Sequence, residues 1–147
     1  MNKIEFARAI YKHPEKVGVC VGFKDLTEIH GEWIREMVWG DSDYTLMAHR
    51  AAYKSSCLAV AISLMMVFYP TKNIIFLRKA DNDVSEMIRM VNKILKSQIL
   101  IDICAVFTRG FVGTDRGITR PYKHKSLDFS NGCFAVVGYR FEVIHNW

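Results

Sequence analysis

The chain has 147 residues, of which 50% are hydrophobic and 24% charged, so it is not a disordered chain and can bury its own core. Its net charge of +5 suits a polyanionic partner, although modest positive charge is also common in proteins without one. The longest apolar run, "CLAVAISLMMVFYP", is too short to span a bilayer, which predicts a buried helix and no membrane contact.

The N-terminal segment is predicted to be mainly helical. Apolar residues at helical spacing indicate a helix over residues 3–12. Residues 17–23 are apolar but contain two glycines, which indicates a short strand or a turn. A second helix follows, with Asp25 and Thr27 as N-cap candidates and Gly40 at its end.

The centre of the chain is predicted to alternate strand and helix. The pattern indicates a strand over residues 43–48, a helix over 54–68, a strand over 73–78 and a helix over 81–95. A β-α-β-α order favours a parallel sheet with right-handed crossovers. We therefore predict an α/β protein in which N-terminal helices precede a mostly parallel sheet.

The C-terminal third is harder to assign. The run "SQILIDICAVF" fits a helix or a strand, and residues 109–125 are basic and glycine-containing, which indicates an exposed loop. An apolar pattern then predicts strands on either side of Gly138. We predict one domain over 1–147, with a helical segment 1–42, a core 43–97 and a C-terminal segment 98–147 of uncertain structure.

The four cysteines, at positions 20, 57, 104 and 133, include no C-x-x-C pair, which disfavours a zinc site. Their apolar or small neighbours predict buried, reduced thiols. No signal-peptide pattern is present, so a reducing cytoplasmic location is expected.

A lysine and two serines stand between the strand predicted at 43–48 and the helix predicted at 54–68. A phosphate-binding loop, G-x-x-x-x-G-K-[ST], has this order, but Ala48 and Tyr53 replace its glycines and only Lys54 and Ser55 match. Glycine permits positive φ and close backbone approach, so both replacements matter. On the pattern alone, the favoured interpretation is a plain buried helix with Ser55 or Ser56 as N-cap.

A wider resemblance favours the phosphate loop. The segments "FKDLTEIHGEWIREMVWGDSDYTLMAHR", "AHRAAYKSSC", "LAVAISLMMVFYPTKNIIFLRKADNDV" and "VSEMIRMVNKIL" cover about half of the chain. Together they resemble the N-terminal ATPase region of phage terminase large subunits, the motors that package viral DNA, in the branch found in prophages of Gram-positive bacteria. The loop in that branch looks like G-H-R-G-S-Y-K-T-T, with a tyrosine before the lysine.

The resemblance implies a partial, three-layer fold of the P-loop NTPase type, with ATP and Mg²⁺ as ligands. Lys54 and Arg50 would be catalytic, Lys54 by holding the β- and γ-phosphates and Arg50 by stabilising charge on the γ-phosphate. Ser55 would ligate Mg²⁺, and His49 would have no chemical role. The implied nucleotide-binding residues are Ala48, His49, Arg50, Ala51, Ala52, Tyr53, Lys54, Ser55 and Ser56.

The implied activity lacks one part in the sequence. A packaging ATPase needs a hydrophobic strand that ends in Asp-Glu, and neither "ILID" at Asp102 nor "YRFE" at Glu142 has that pair. Together with Ala48 and Ala51 in place of the branch's glycines, this predicts negligible hydrolysis. The resemblance ends near Ser97, so the chain is expected to be a truncated or degenerate form, or a short protein that reuses the scaffold.

Three functions remain open from the sequence. The first is the ATP-binding part of a terminase in a bacterial host's cytoplasm, with double-stranded DNA, the portal and the small terminase subunit as implied partners. The second is a non-enzymatic DNA- or protein-binding domain, and the third is a small α/β domain whose loop binds nothing. An unpaired strand edge also predicts self-association. The second function would use Arg35, Arg50, Arg78, Lys79 and the basic loop from Arg109 to Lys125.

Overall fold

The computed structural model describes residues 3–69, 74–77, 81–107 and 134–137, and these are mostly helical. Within those ranges no helix is long and apolar enough to cross a membrane. The elements are α1 (Lys3–Lys12), α2 (Glu15–Val21), α3 (Glu28–Trp39), α4 (Lys54–Phe68), β1 (Ile74–Leu77), α5 (Asp81–Leu95), α6 (Gln98–Phe107) and β2 (Phe134–Val137).

Helix α4 is the centre of the core and packs against α2, α3, α5 and α6. A helix that is apolar on every side can be stable in water only when other elements surround it. From Cys57 to Val67 the helix is buried at all but two positions. The buried hydroxyl of Ser63 is satisfied inside the helix, donating to the Ala59 carbonyl at 2.8 Å.

The helices predicted at 3–12, 54–68 and 81–95 are confirmed, and so is the helix after Thr27. At its start, the Thr27 main-chain N–H donates to Nδ1 of His30 at 2.9 Å, which closes a reciprocal capping box. The ambiguous run 98–107 forms helix α6.

The strand or turn predicted at 17–23 is wrong, because residues 17–21 belong to helix α2 and only residues 22–23 lie beyond its end. Pro14 is its N-cap, and Gly22 ends it in the left-handed region at φ 107°. Position 18 lies inside the helix and is occupied by glycine because a Cβ there would come within 2.5 Å of the Leu26 side chain. The glycines therefore serve a helix end and a close contact, and not a strand.

The predicted three-layer α/β fold with a mostly parallel sheet is also wrong. Residues 43–48 form no strand, and Met47 is 90% exposed. The strand pairing in the described part of the chain is antiparallel, with Ile74 opposite Val137 and Leu77 opposite Phe134. A strand needs a neighbour for its main-chain N–H and C=O groups, and the short alternation at 43–48 could not show whether one exists.

Candidate functional site

Lys54 is the first residue of α4, and its ammonium folds back onto the preceding loop. Its Nζ donates to the carbonyl oxygen of Ala48 at 2.7 Å and also to that of His49. A positive charge is unfavourable at a helix N-terminus, and the two carbonyl dipoles compensate for that position. The amine therefore closes the loop over residues 48–53, called here the 48–53 loop, and lies where an incoming anion could exchange for a carbonyl.

Two residues of the 48–53 loop have the backbone conformation that glycine favours. Ala51 has φ 66° and Tyr53 has φ 52°, and they are the non-glycine residues with positive φ in the described ranges. Left-handed residues within a turn direct successive main-chain N–H groups to one side, which makes a concavity for an anion. Ala51 also occupies a position where the resembling branch has glycine. The loop thus keeps a glycine-type backbone without glycine.

Tyr53 is held in this conformation by contacts to the start of α3. Its hydroxyl donates to Oδ2 of Asp25 at 3.0 Å, and this hydrogen bond raises the pKa of Tyr53. Its ring meets the edge of His30, with 5.9 Å between centroids. His30 in turn packs edge-on against Trp33 at 5.0 Å. These contacts offset the strain of a left-handed tyrosine and fix the orientation of the loop.

The start of α4 lacks the side-chain groups that commonly neutralise a helix N-terminus. Tyr53, as N-cap residue, makes no side-chain cap hydrogen bond, and the first turn contains no acidic residue. Helix N-termini leave main-chain N–H groups without helical acceptors and carry a partial positive charge. Ser55 and Ser56 follow Lys54 in this turn and are half-buried. A lysine, a loop with left-handed residues and a helix start are also elements of known phosphate-binding loops.

A cavity of about 460 Å³ adjoins the loop and reaches helix α5. We call it the Arg50 cavity. Arg50 and Ser55 both line it, together with two carboxylates that the sequence analysis did not single out. Those acids lie three residues apart in α5, a spacing that places both on one face of a helix. The lining consists of Arg50, Ser55, Asp83, Glu86, Met87 and Met90.

The remaining predicted site residues are divided between loop and surface. Ala52 is buried and its N–H donates to the His49 carbonyl at 3.4 Å, so it shapes the loop. His49 is exposed and contributes that carbonyl. Asp102 lies on α6, where it accepts a hydrogen bond from Gln98 at 2.8 Å and is not in the lining of the Arg50 cavity. Glu142 lies outside the described residues.

A second, shallow groove lies between α1 and α3. It has a volume of about 790 Å³ and is lined by Ala7, Arg8, Tyr11, Lys12 and Arg35. We call it the Tyr11 groove.

Arg35, predicted as a nucleic-acid contact, is a structural residue in this groove. Its guanidinium donates to the carbonyls of Tyr11 at 3.1 Å and Lys12 at 2.8 Å, which satisfies the C-terminal end of α1. The other proposed cations at 78, 79 and 109–125 lie outside the described residues.

The expectation of buried thiols holds for two cysteines and fails for one. Cys57 and Cys104 are buried, and burial raises the pKa of Cys57 to about 12. Cys20 is exposed on α2, so the apolar residues beside it in the sequence led to the wrong prediction that it is buried. Cys133 lies outside the described residues. In the ranges that the structure covers, no three His, Cys, Asp or Glu side chains are grouped to hold a metal ion.

Comparison with known proteins gives no match to this chain among protein-family models, curated proteins or solved structures. The terminase resemblance of residues 23–95 therefore stays a prediction from the sequence, and the geometry of the loop and cavity is the basis for a functional proposal.

Proposed function

We propose that this chain is the N-terminal ATP-binding part of a phage terminase large subunit, a protein of the bacterial host's cytoplasm during DNA packaging. The observation that carries the proposal is the 48–53 loop, which joins a lysine at a helix start to two left-handed residues, Ala51 and Tyr53. A loop that merely opened a buried helix would not need backbone strain at two positions, each costing on the order of 1 kcal/mol.

Each residue has a role that follows from its position. Lys54 exchanges a loop carbonyl for a β- or γ-phosphate oxygen, since its amine already points into the loop. The main-chain N–H groups of the loop and of the first turn of α4 receive the remaining phosphate oxygens. Arg50, exposed at the cavity wall, adds a second positive charge, and Ser55 is the residue whose hydroxyl would ligate Mg²⁺.

The test is the melting temperature as a function of Mg-ATP and, separately, of inorganic phosphate at constant ionic strength. A ligand that binds only the folded state stabilises it by about 2.7 kcal/mol at one hundred times its Kd. We expect the parent protein to show a saturable rise and Lys54→Ala to lose it. Arg50→Ala should lose less, because Arg50 lines the cavity but does not close the loop.

Lys16→Ala is the matched control, because Lys16 is an exposed lysine on α2, away from the loop. It removes the same charge and should leave the ligand-dependent rise unchanged. Equal shifts in the parent and in Lys54→Ala would mean that anions act non-specifically, and the loop would then be only a helix start.

Hydrolysis by this chain alone should be negligible, because the sequence has no hydrophobic strand ending in Asp-Glu. Phosphate release from Mg-ATP should be no faster with the parent protein than with Lys54→Ala. A Mg²⁺-dependent rate that Lys54→Ala abolishes would instead reveal a catalytic acid elsewhere in the chain.

The Tyr11 groove favours a second candidate function, binding of double-stranded DNA without nucleotide chemistry. Arg8 and Lys12 are exposed there beside Tyr11, and neither has an ion-pair partner in the described part of the chain. Cations of this kind contact phosphates and give binding that weakens steeply with salt. Under this function, Arg8→Ala with Lys12→Ala would lower DNA affinity and its salt dependence, and Lys54→Ala would not.

A further inference from the structure

We infer that two copies of the chain associate through the Tyr11 groove, which in each copy receives an acidic surface of α3 from the other copy. That surface, called here the α3 acidic stripe, consists of Glu28, Glu32 and Glu36, and all three are exposed. The inference goes beyond the proposed function and does not depend on nucleotide binding.

The charges on the two surfaces have matching spacing. Arg8 and Lys12 lie four residues apart on α1, and successive acids of the α3 acidic stripe also lie four residues apart. Four residues correspond to about 6 Å along a helix axis, so each cation can face one acid when the two helices lie side by side. None of these five side chains forms an ion pair in the part of the chain that the structure describes. A second copy supplies both sets of opposite charges at the same spacing.

The Tyr11 groove has the features of a protein-binding surface. Tyr11 is 53% exposed and packs edge-on against Trp39, with 5.2 Å between ring centroids. The Arg35 guanidinium lies 5.8 Å from the centroid of the Tyr11 ring and is fixed by its hydrogen bonds to the main-chain carbonyls of Tyr11 and Lys12. Tyrosine and arginine are enriched at protein interfaces, and a side chain that is already held in place loses less entropy on binding.

Exposed apolar side chains also flank the α3 acidic stripe. Ile29 follows Glu28 on α3 and is 53% exposed. Burial and the charges of Glu36 and Glu32 raise the pKa of Tyr44, which places this exposed ring beside the stripe. Each surface thus combines apolar side chains with charges of one sign, and the two signs are opposite. This combination matches a protein interface that has an apolar centre and a charged rim.

The two surfaces adjoin on one copy, which permits a closed dimer. Arg35 lines the groove, and Glu32, three residues earlier, is its neighbour on the surface of α3. When adjoining surfaces are complementary, a two-fold rotation brings the groove of each copy onto the stripe of the other. Exposed ion pairs contribute little individually, so the dimer should be weak and should dissociate in salt.

Sedimentation equilibrium of the full chain measures the association, since a dimer has twice the 16.9 kDa mass of one chain. At about 200 µM protein we expect a dimer in about 50 mM NaCl and mostly monomer in about 500 mM NaCl. Arg8→Glu with Lys12→Glu reverses the charge of the groove, and Glu32→Lys with Glu36→Lys reverses that of the stripe. Each double variant should raise the dissociation constant of the dimer by about tenfold or more.

Rescue distinguishes charge pairing from a general loss of structure. Mixing the two double variants should restore the parent's dissociation constant to within about threefold, because each contact again joins opposite charges. Combining all four substitutions in one chain should restore it as well, at the parent's net charge. The matched control is Arg89→Glu with Lys93→Glu, an exposed pair of cations with the same spacing on α5, and it should leave the association unchanged.

Three results would overturn the inference. The first is a parent chain that stays monomeric at low salt. The second is a dimer that survives either reversal, and the third is one that each reversal abolishes without rescue in the mixture or in the quadruple variant. If the parent is monomeric and the reversed groove loses affinity for double-stranded DNA, the groove is a nucleic-acid surface. None of these results affects the test of Mg-ATP binding, which depends on Lys54.

Discussion

Glycine at position 51 should stabilise the protein, and glycine at position 48 should destabilise it. Ala51 has φ 66°, whereas Ala48 is not among the residues with positive φ. A left-handed conformation costs a non-glycine residue about 1–2 kcal/mol, and glycine loses about 0.5–1 kcal/mol more entropy on folding than alanine. Ala51→Gly should therefore raise the free energy of unfolding by about 0.5–1 kcal/mol, and Ala48→Gly should lower it by a similar amount.

The two variants are matched, because each removes one methyl group from the same loop and keeps the carbonyl oxygens. Urea unfolding followed by tryptophan fluorescence of Trp33 and Trp39, both on α3, measures the difference. With an unchanged slope, the midpoints of the two variants should differ by about 0.5–1 M urea. Equal losses of stability in Ala51→Gly and Ala48→Gly would refute the reasoning, because Ala51 would then not be left-handed in solution.

Two further predictions concern the core. Gly31→Ala should lower the free energy of unfolding by about 1–3 kcal/mol, because the new Cβ would lie 2.1 Å from Oε2 of the buried Glu15. When Glu15→Ala is added in a double-mutant cycle, measured by urea unfolding, most of that loss should disappear. Iodoacetamide at pH 8 should label Cys20 and leave Cys57 unlabelled, because burial raises the pKa of Cys57 to about 12 and keeps its thiol protonated. Peptide mass spectrometry measures the labelling of each cysteine. Labelling of Cys57 at the rate of Cys20 would contradict this prediction. Because burial penalises the thiolate, the shift leaves stability unchanged at neutral pH, where the thiol is protonated in both states, and the free energy of unfolding should fall as the pH rises from the unfolded thiol's pKa of 9.0 towards 12.

The sequence correctly predicted the helices whose N-terminal cap and apolar periodicity can both be recognised within one short segment. Helix α3 begins after Thr27 with a reciprocal cap, and α5 has a continuous apolar side from Val84 to Leu95. The strand predicted at 43–48 was wrong because a strand forms only beside a partner strand, and alternation over six residues does not show whether such a partner exists. The predicted parallel sheet was wrong for the same reason, since it depended on that strand as well as on β1.

The candidate site was predictable on one side only. The lysine and serine at the start of an apolar run located Lys54 and Ser55 at the helix N-terminus, where they are found. Asp83 and Glu86 were not predicted as site residues, because nothing within their own segment shows that the beginning of α5 lies against the loop. That juxtaposition depends on how α5 packs against α4, which is a tertiary property. The three-residue spacing of the two acids was the available signal.

The tyrosine before the lysine explains how the 48–53 loop keeps its shape without glycine at either motif position. Glycine at position 53 would reach positive φ without strain but could contact nothing. Tyrosine is strained at positive φ, but its hydroxyl contacts Asp25, just before α3, and its ring contacts His30 in the first turn of α3. The conformation of the loop therefore depends on residues 25–30 as much as on its own sequence.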